Sequence, residues 1–336
     1  MTRRALLVLA LAAAPRLAGA AMLSEVHYVM GTYLRVTVDD RDVSNARPAL
    51  HRCFATVRRF EDRYSRFDPR SELSQLNALP NEASSEPLSA DMAALLRRAL
   101  ELSTATAGAF DVSIGAVSEL WRGASEWPWP TALTAAQATS GRGALRLAGR
   151  RLVRHHGTVI DLDGIAKGWA VDHCVADLRT AGFRRALINF GESSWYALGA
   201  PPQAAGWAVE IRALDGNSTL GTLTLRDEAV SVSGVFGHEH RVGTQRVGHI
   251  VDPRSGLPLT APALAVVTAA AATDAEAWSK AVLIRGDALR PQGERGRWPF
   301  RGALLIRDDG IETLGRMRFT RSPRPQPITA AAEPLR

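Results

Sequence analysis

The sequence predicts an α+β fold, one body of two lobes in which helices pack against mixed and antiparallel sheets. Three observations predict it. The first half is helix-rich, with apolar residues recurring at three and four. From residue 143 the apolar residues alternate in short runs with short connections between them, as antiparallel strands require. No internal repeat or low-complexity linker divides the 336 residues into autonomous domains.

Composition agrees with a globular chain: 46% of residues are hydrophobic and 22% charged, which excludes a disordered or fibrous protein. The formal charge is +7, but the arginines are dispersed and no run of five or six basic residues occurs, so no nucleic-acid partner is expected.

The opening "MTRRALLVLALAAAPRLAGAAM" reads as an export signal over residues 1–20. Arg3 and Arg4 precede an apolar stretch too short to span a bilayer, and Ala18, Gly19 and Ala20 suit a processing peptidase. "TRRALL" also resembles a twin-arginine signal, so the Sec and twin-arginine routes both stay open. The mature chain is expected to be soluble and periplasmic. Its two cysteines, Cys53 and Cys174, fall on apolar helical faces and read as buried free thiols.

In the mature chain, "VMGTYLRVTVDD" alternates as a first strand. A helix follows on Leu50, Cys53, Phe54, Val57, Phe60 and Tyr64, with Pro48 suited to its first turn. A second helix is expected from Ser89 to about Ala107, stopped by Gly108. "ALRLAG" and "TVIDLDG" read as strands, a helix runs from about Gly168 to Ala181, and "RALINFG", "WAVEIRAL", "STLGTLTL", "AVSVSG" and "ALAVVTAAA" follow as strands. "ALLIRDDGIETL" reads as a hairpin turning at Asp308 to Gly310. One domain is expected over 21–320, with 321–336 a disordered tail.

Four stretches carry chemistry. In "IDLDGIAKGWAVD", Lys167 sits between Gly164 and Gly168 at a strand-to-helix junction, a natural place for phosphate and equally for a surface lysine in a turn. Asp111 in "GAFDVSIG" suits a turn cap as well as a ligand. His249 in "HIVDPRSG" stands at a strand end, where a structural histidine is the commoner case; "HEH" at His238 to His240 reads as an exposed loop rather than a metal site. "TDAEAWSKAVLIRG" holds Asp274, Glu276 and Lys280 in an apolar helix, either as a solvated i,i+4 ion pair or as an active site whose cation has been altered.

Together "MGTYLRVTV", "YSRFDPRSELSQLN", "GAFDVSIGAVSELW", "IDLDGIAKGWAVD", "SGVF", "HIVDPRSG" and "DAEAWSKAVLIRG" resemble, in order, the ApbE-type flavin transferases, FAD:protein FMN transferases, from about Val26 to Gly286. The resemblance implies transfer of FMN from FAD to a threonine or serine of a target flavoprotein, with release of AMP. It implies that Met30 and Phe67 flank the flavin, that Ala109, Phe110 and Asp111 contact the dinucleotide, that Lys167 and Ala170 line it, and that Val251 beside His249 adds backbone contacts. His249 and Lys280 become the candidate catalytic side chains. It implies Mg2+ as well, with Gly164 supplying a backbone oxygen and Glu276 a carboxylate, to which Asp274 adds a second candidate carboxylate if the site is rebuilt. The acceptor it implies carries an exposed Thr/Ser motif and is often a membrane-bound electron-transfer subunit.

The sequence also departs from the family. Glu276 stands where an Asp is usual and Lys280 where a Thr is usual, and an ammonium offers a cation no lone pair. Asp163 and Glu192 replace glycines, which places extra carboxylates near a pyrophosphate. Three readings follow: a metal site rebuilt from Asp274, Glu276 and Glu192 or Asp163; an ammonium standing in for part of the metal's charge; or an exported FAD-binding carrier without chemistry. Hydrolysis of FAD to FMN and AMP is compatible with the same geometry.

Overall fold

The computed structural model describes residues 21–40, 43–80, 84–155, 157–237, 239–289 and 298–327; the stretch read as an export signal lies outside them. The described chain begins as a hairpin rather than a single strand. β1 (Ala21–Val29) pairs antiparallel with β2 (Thr32–Asp40), from Ala21↔Asp40 to Val29↔Thr32. Met30 (φ 50°) and Gly31 (φ 76°) make the reversal, and two positive φ values in a two-residue loop match the right-handed twist of the strands. A two-residue turn leaves the alternation unbroken on both sides, which is why the pattern reads as one strand.

α1 (Val43–Tyr64) buries the predicted face from Leu50 to Tyr64, although Pro48 lies inside the helix rather than at its start. α2 (Glu72–Asn77) and α3 (Ala90–Ala105) are capped by Ser71 and Ser89, whose hydroxyls accept the N–H of Ser74 and Met92. Ala107 (φ 52°) and Gly108 (φ 77°) then turn the chain out of α3. α4 (Gly115–Trp121), α5 (Pro130–Ala138) and the hairpin β3 (Leu145–Ala148) with β4 (Arg151–Arg154) follow. "TVIDLDG" is extended but forms no strand: Val159 makes one isolated bridge, to Ile114, and Ile160 N–H bonds the Asn77 side chain at 2.8 Å. Its backbone is satisfied by loops and a side chain instead of a neighbouring strand.

α6 (Ala166–Thr180) leads to β5 (Ala186–Phe190), β6 (Ser194–Leu198), β7 (Trp207–Arg212), β8 (Ser218–Leu225) and β9 (Glu228–Gly234). Two small hairpins, β10 (His240–Val242) with β11 (Gln245–Val247) and β12 (Val251–Asp252) with β13 (Leu257–Pro258), precede β14 (Ala263–Ala269) and α7 (Ala272–Arg285). β15 (Gly302–Arg307) and β16 (Gly310–Gly315) form the predicted hairpin. β17 (Phe319–Pro327) corrects the first part of the expected tail, because it pairs with β8 from Phe319↔Leu223 to Pro327↔Ser218, while residues 328–336 lie outside the described residues. Prolines and arginines suggest disorder, yet an edge strand tolerates Pro wherever its N–H faces away from the ladder.

An eight-stranded sheet in the order β1-β2-β5-β6-β9-β14-β15-β16 forms the centre, with every adjacent pair antiparallel. The alternation of β14 and β15 divides two cores. Ala265, Val267, Ala303 and Leu305 face the core shared with α1, α6 and α7, whereas Val266, Leu304 and Ile306 face Trp207, Val209, Leu223 and Leu225 of the β17-β8-β7 sheet. These cores are the two lobes.

α7 carries the segment with Glu276 and Lys280, and it is fixed from outside itself. Its N-cap, Ala271, has no capping side chain. Asp172 of α6 does that work across the helix interface, accepting from Ala272 N–H (2.7 Å), Thr273 N–H (2.9 Å) and Thr273 Oγ1 (2.5 Å). Gly168 lets the two helices touch, since a Cβ there would fall 2.6 Å from the Ala272 carbonyl oxygen. Cys53 and Cys174 are buried free thiols, each set against the other's backbone carbonyl across α1 and α6.

Candidate functional site

A cavity of about 1540 Å³ opens between the first hairpin, the end of α1, the start of α6 and the exposed side of α7. Its size suits a dinucleotide rather than a small metabolite.

At one wall Met30 N–H bonds Glu61 Oε1 at 2.7 Å, tying the hairpin turn to α1. Phe67 stands 79% exposed at the rim, with the Arg66 guanidinium 4.2 Å over its ring. A large ring left open to solvent beside a cavity is a platform for another flat ring. Ala109, Phe110 and Asp111 also line the cavity, but the Asp111 carboxylate is engaged: Oδ1 accepts from Ser113 N–H (2.8 Å) and Oγ (2.7 Å), and Oδ2 from Ser103 Oγ (3.2 Å). Its own side chain thus holds the turn, and the segment's backbone and Phe110 ring face the space.

Lys167 enters from the start of α6 and donates to Ser193 Oγ at 2.5 Å. Ala170, expected to line the same region, is fully buried in the main core; Ala166 lines the cavity instead, one turn earlier. Gly164 lies between Phe110 and Lys280: a Cβ added there would be 3.4 Å from the Phe110 ring and 3.8 Å from Lys280 Cε. His249 and Val251 line the opposite wall, His249 exposed. His240 lines it too, while His238 lies outside the described residues and Glu239 pairs with Arg246 at 2.5 Å.

On α7, Glu276 is 1% exposed and takes a hydrogen bond from Ser194 Oγ and an ion pair from Lys280 Nζ at 3.3 Å. Burial pulls the Lys280 ammonium below the usual lysine range, the Glu276 carboxylate opposes that shift, and Lys167 adds to it. Asp274 is not part of this cluster. Residues two apart on a helix point to different sides, and Asp274 is held by Arg98 of α3 through a bidentate pair, 2.8 Å on each oxygen.

The additional carboxylates are neutralised by arginines that no sequence pattern singled out. Asp163 meets Arg66 at 3.1 Å and Arg122 at 3.6 Å, and Glu192 meets Arg212 at 2.8 Å. Desolvation at the cavity wall and the adjacent Asp161 nevertheless raise the Asp163 carboxyl, although its side chain is 60% exposed. The arginines lie far apart in sequence and converge only around the cavity; Arg66, in "YSRFDPRSELSQLN", was the one that the motif could have disclosed.

Residues 30–292 match the model of the ApbE family. The chain belongs to the ApbE family. Among its relatives, a FAD:protein FMN transferase of Rhodobacter capsulatus is 31% identical over 93% of this chain and 61% of its own length. Another, of Treponema pallidum, is 31% identical over 78% of both chains. The chain thus spans less than two thirds of the Rhodobacter relative. A flavin transferase ApbE from Vibrio cholerae superposes with a TM-score of 0.75 at 22% identity, covering 88% of this chain and 97% of that one. The Thermotoga maritima ApbE protein gives 0.75 at 23% identity, over 87% and 96%. The α+β fold is therefore that of the ApbE structures.

In this ApbE chain the residues expected to hold Mg2+ do not fit that ion. Mg2+ requires oxygen lone pairs in a near-octahedral set. The Gly164 and Glu276 positions are adjacent to the cavity, but Asp274 is bound to Arg98 and the partner of Glu276 is an ammonium. Among the described residues no group of three or more His, Cys, Asp or Glu side chains is arranged to hold a metal.

Proposed function

We propose that the chain transfers the FMN half of FAD to a threonine or serine hydroxyl of a target flavoprotein and releases AMP. One observation carries this reading: a dinucleotide-sized cavity in which an exposed ring, two lysines from different helices and a histidine converge, in a chain of the ApbE family. The names of its relatives point the same way.

The residues divide the work. Phe67 offers its face to the isoalloxazine, while Lys167 and Lys280 face the pyrophosphate. The acceptor hydroxyl oxygen bonds to the phosphorus of the FMN half as the bond from that phosphorus to the bridging oxygen breaks, and the electron pair leaves with AMP. The hydroxyl proton passes to the imidazole of His249 at the cavity wall. Fixed ammonium groups act where charge develops on the bridging oxygen, which is where preorganised electrostatics contribute most. A carrier that binds FAD without chemistry is not favoured, since the site keeps both a proton acceptor and phosphate-facing cations.

The acceptor is a flavoprotein with an exposed Thr or Ser, in the setting of a membrane-bound electron-transfer subunit. No helix among the described residues is long and apolar enough to cross a membrane. The opening residues, read as an export signal, support a periplasmic location reached by Sec or twin-arginine export.

The test is incubation of the protein with FAD and a flavinylation-motif acceptor, read by intact mass and AMP release. The acceptor is expected to gain one FMN per AMP formed. FAD left intact beside an unmodified acceptor overturns the transferase, and free FMN with AMP identifies a hydrolase.

A further inference from the structure

We propose that this site carries its own cation: the Lys280 ammonium, positioned by Glu276, serves the FAD pyrophosphate in place of a divalent metal. This rests on the flavin-transferase reading and says how that site handles phosphate charge.

Four observations converge. Lys280 and Glu276 form an ion pair one turn apart at 3.3 Å, with the carboxylate 1% exposed and the ammonium side chain 21% exposed, so the lysine is the open member of the pair. The carboxylate's other oxygen is taken by Ser194 Oγ, which leaves Glu276 engaged on both oxygens. Lys280 Cε lies against the Gly164 turn, 3.8 Å from a Cβ built there, beside the segment that ends in Lys167. Ser279 is bound into the sheet by Ser231 (3.1 Å) and Ser233 (2.7 Å), which fixes the rotation of α7 and so directs Lys280 at the cavity.

The chemistry follows from these positions. Two ammonium groups, Lys167 and Lys280, converge on one cavity, and Lys167 adds to the cost of keeping Lys280 charged. A dianionic pyrophosphate fits this arrangement, because it offers both lysines oxygen acceptors at once and compensates the charge gathered at Lys280. Glu276 holds Lys280 in place when the site is empty and neutralises it in part. A bound metal at this point would have to displace an ammonium that is tied to the buried Glu276 carboxylate.

The experiment measures FAD affinity by flavin fluorescence, with excess EDTA and with millimolar Mg2+, for the protein and for Lys280→Thr, and Mn2+ binding by electron paramagnetic resonance with FAD present. The unaltered protein is expected to bind FAD with affinities within twofold in the two buffers and to add no Mn2+ site beyond that of free FAD. Lys280→Thr is expected to lose at least tenfold in EDTA, to regain affinity with Mg2+, and to show a new Mn2+ site. A wild-type affinity that rises tenfold or more with Mg2+, or a Mn2+ site in the unaltered protein, overturns the proposal and leaves the transferase standing. Absence of FAD binding in both buffers overturns the functional reading itself. The wild-type measurements decide the matter even if the variant is destabilised.

Discussion

Asp172 holds the helix that carries Glu276 and Lys280, so its loss should register in both stability and binding. The α7 N-terminus has no cap of its own, and Asp172 supplies acceptors to two backbone N–H groups and one hydroxyl. Loss of a helix cap costs about 1–2 kcal/mol. Leaving further partly buried donors unsatisfied adds about 1–3 kcal/mol. Burial raises the Asp172 carboxyl against the hydrogen bonds from Thr273 and Ala272, so removing the carboxylate also relieves a desolvation cost. The net expectation for Asp172→Ala is about 2–4 kcal/mol at neutral pH, and about half of that for Asp172→Asn, which keeps an acceptor oxygen. The sign with pH follows: a carboxyl raised above its unfolded value stabilises most below that value and loses this contribution as pH rises through the raised one. The deficit of the alanine variant should therefore be larger in acid than at neutral pH. Urea unfolding followed by tryptophan fluorescence reads it, since Trp278 is buried on α7 and Trp169 lies on α6. FAD affinity should fall in parallel as Lys280 loses its fixed position. An alanine variant within about 0.5 kcal/mol of the parent would refute the cross-helix cap.

Three further outcomes are expected. Gly168→Ala should destabilise by about 1–3 kcal/mol in urea, because its Cβ would fall 2.6 Å from the Ala272 carbonyl oxygen and 2.8 Å from the Thr273 nitrogen, both backbone; helix propensity alone predicts the opposite sign. Phe67→Ala should leave stability within about 0.5 kcal/mol and weaken FAD binding about fivefold in fluorescence titration, the loss of a stacked ring at an exposed position; unchanged affinity would remove Phe67 from the flavin platform. Desolvation and Asp161 raise the Asp163 carboxyl, so its protonation as the pH falls removes a negative charge from the cavity and should tighten FAD binding. Asp163→Asn should flatten this component of the affinity-pH curve, and parallel curves for the two proteins would sink the assignment.

By itself the sequence determined what periodicity and local chemistry encode. The apolar face of α1, the Ser89 cap of α3, the antiparallel β15-β16 hairpin and the ordered motifs of the ApbE family all rest on residues near one another in the chain, so their signals are additive and readable. The family resemblance grouped Phe67, Lys167, Gly164, His249 and the Glu276–Lys280 pair around one dinucleotide, and these residues line one cavity. The tertiary structure decided what depends on long-range partners. The Met30–Gly31 turn hides inside unbroken alternation, β17 is ordered by β8 nearly a hundred residues earlier, and Ala170 is turned into the core by helix phase. Asp274 and Glu276 look equivalent in the sequence. Arg98 claims one and Lys280 the other, and the carboxylates at Asp163 and Glu192 find their arginines only when distant segments meet. A charge reveals its role through its partner, and partners are chosen by the folded backbone rather than by spacing along the chain.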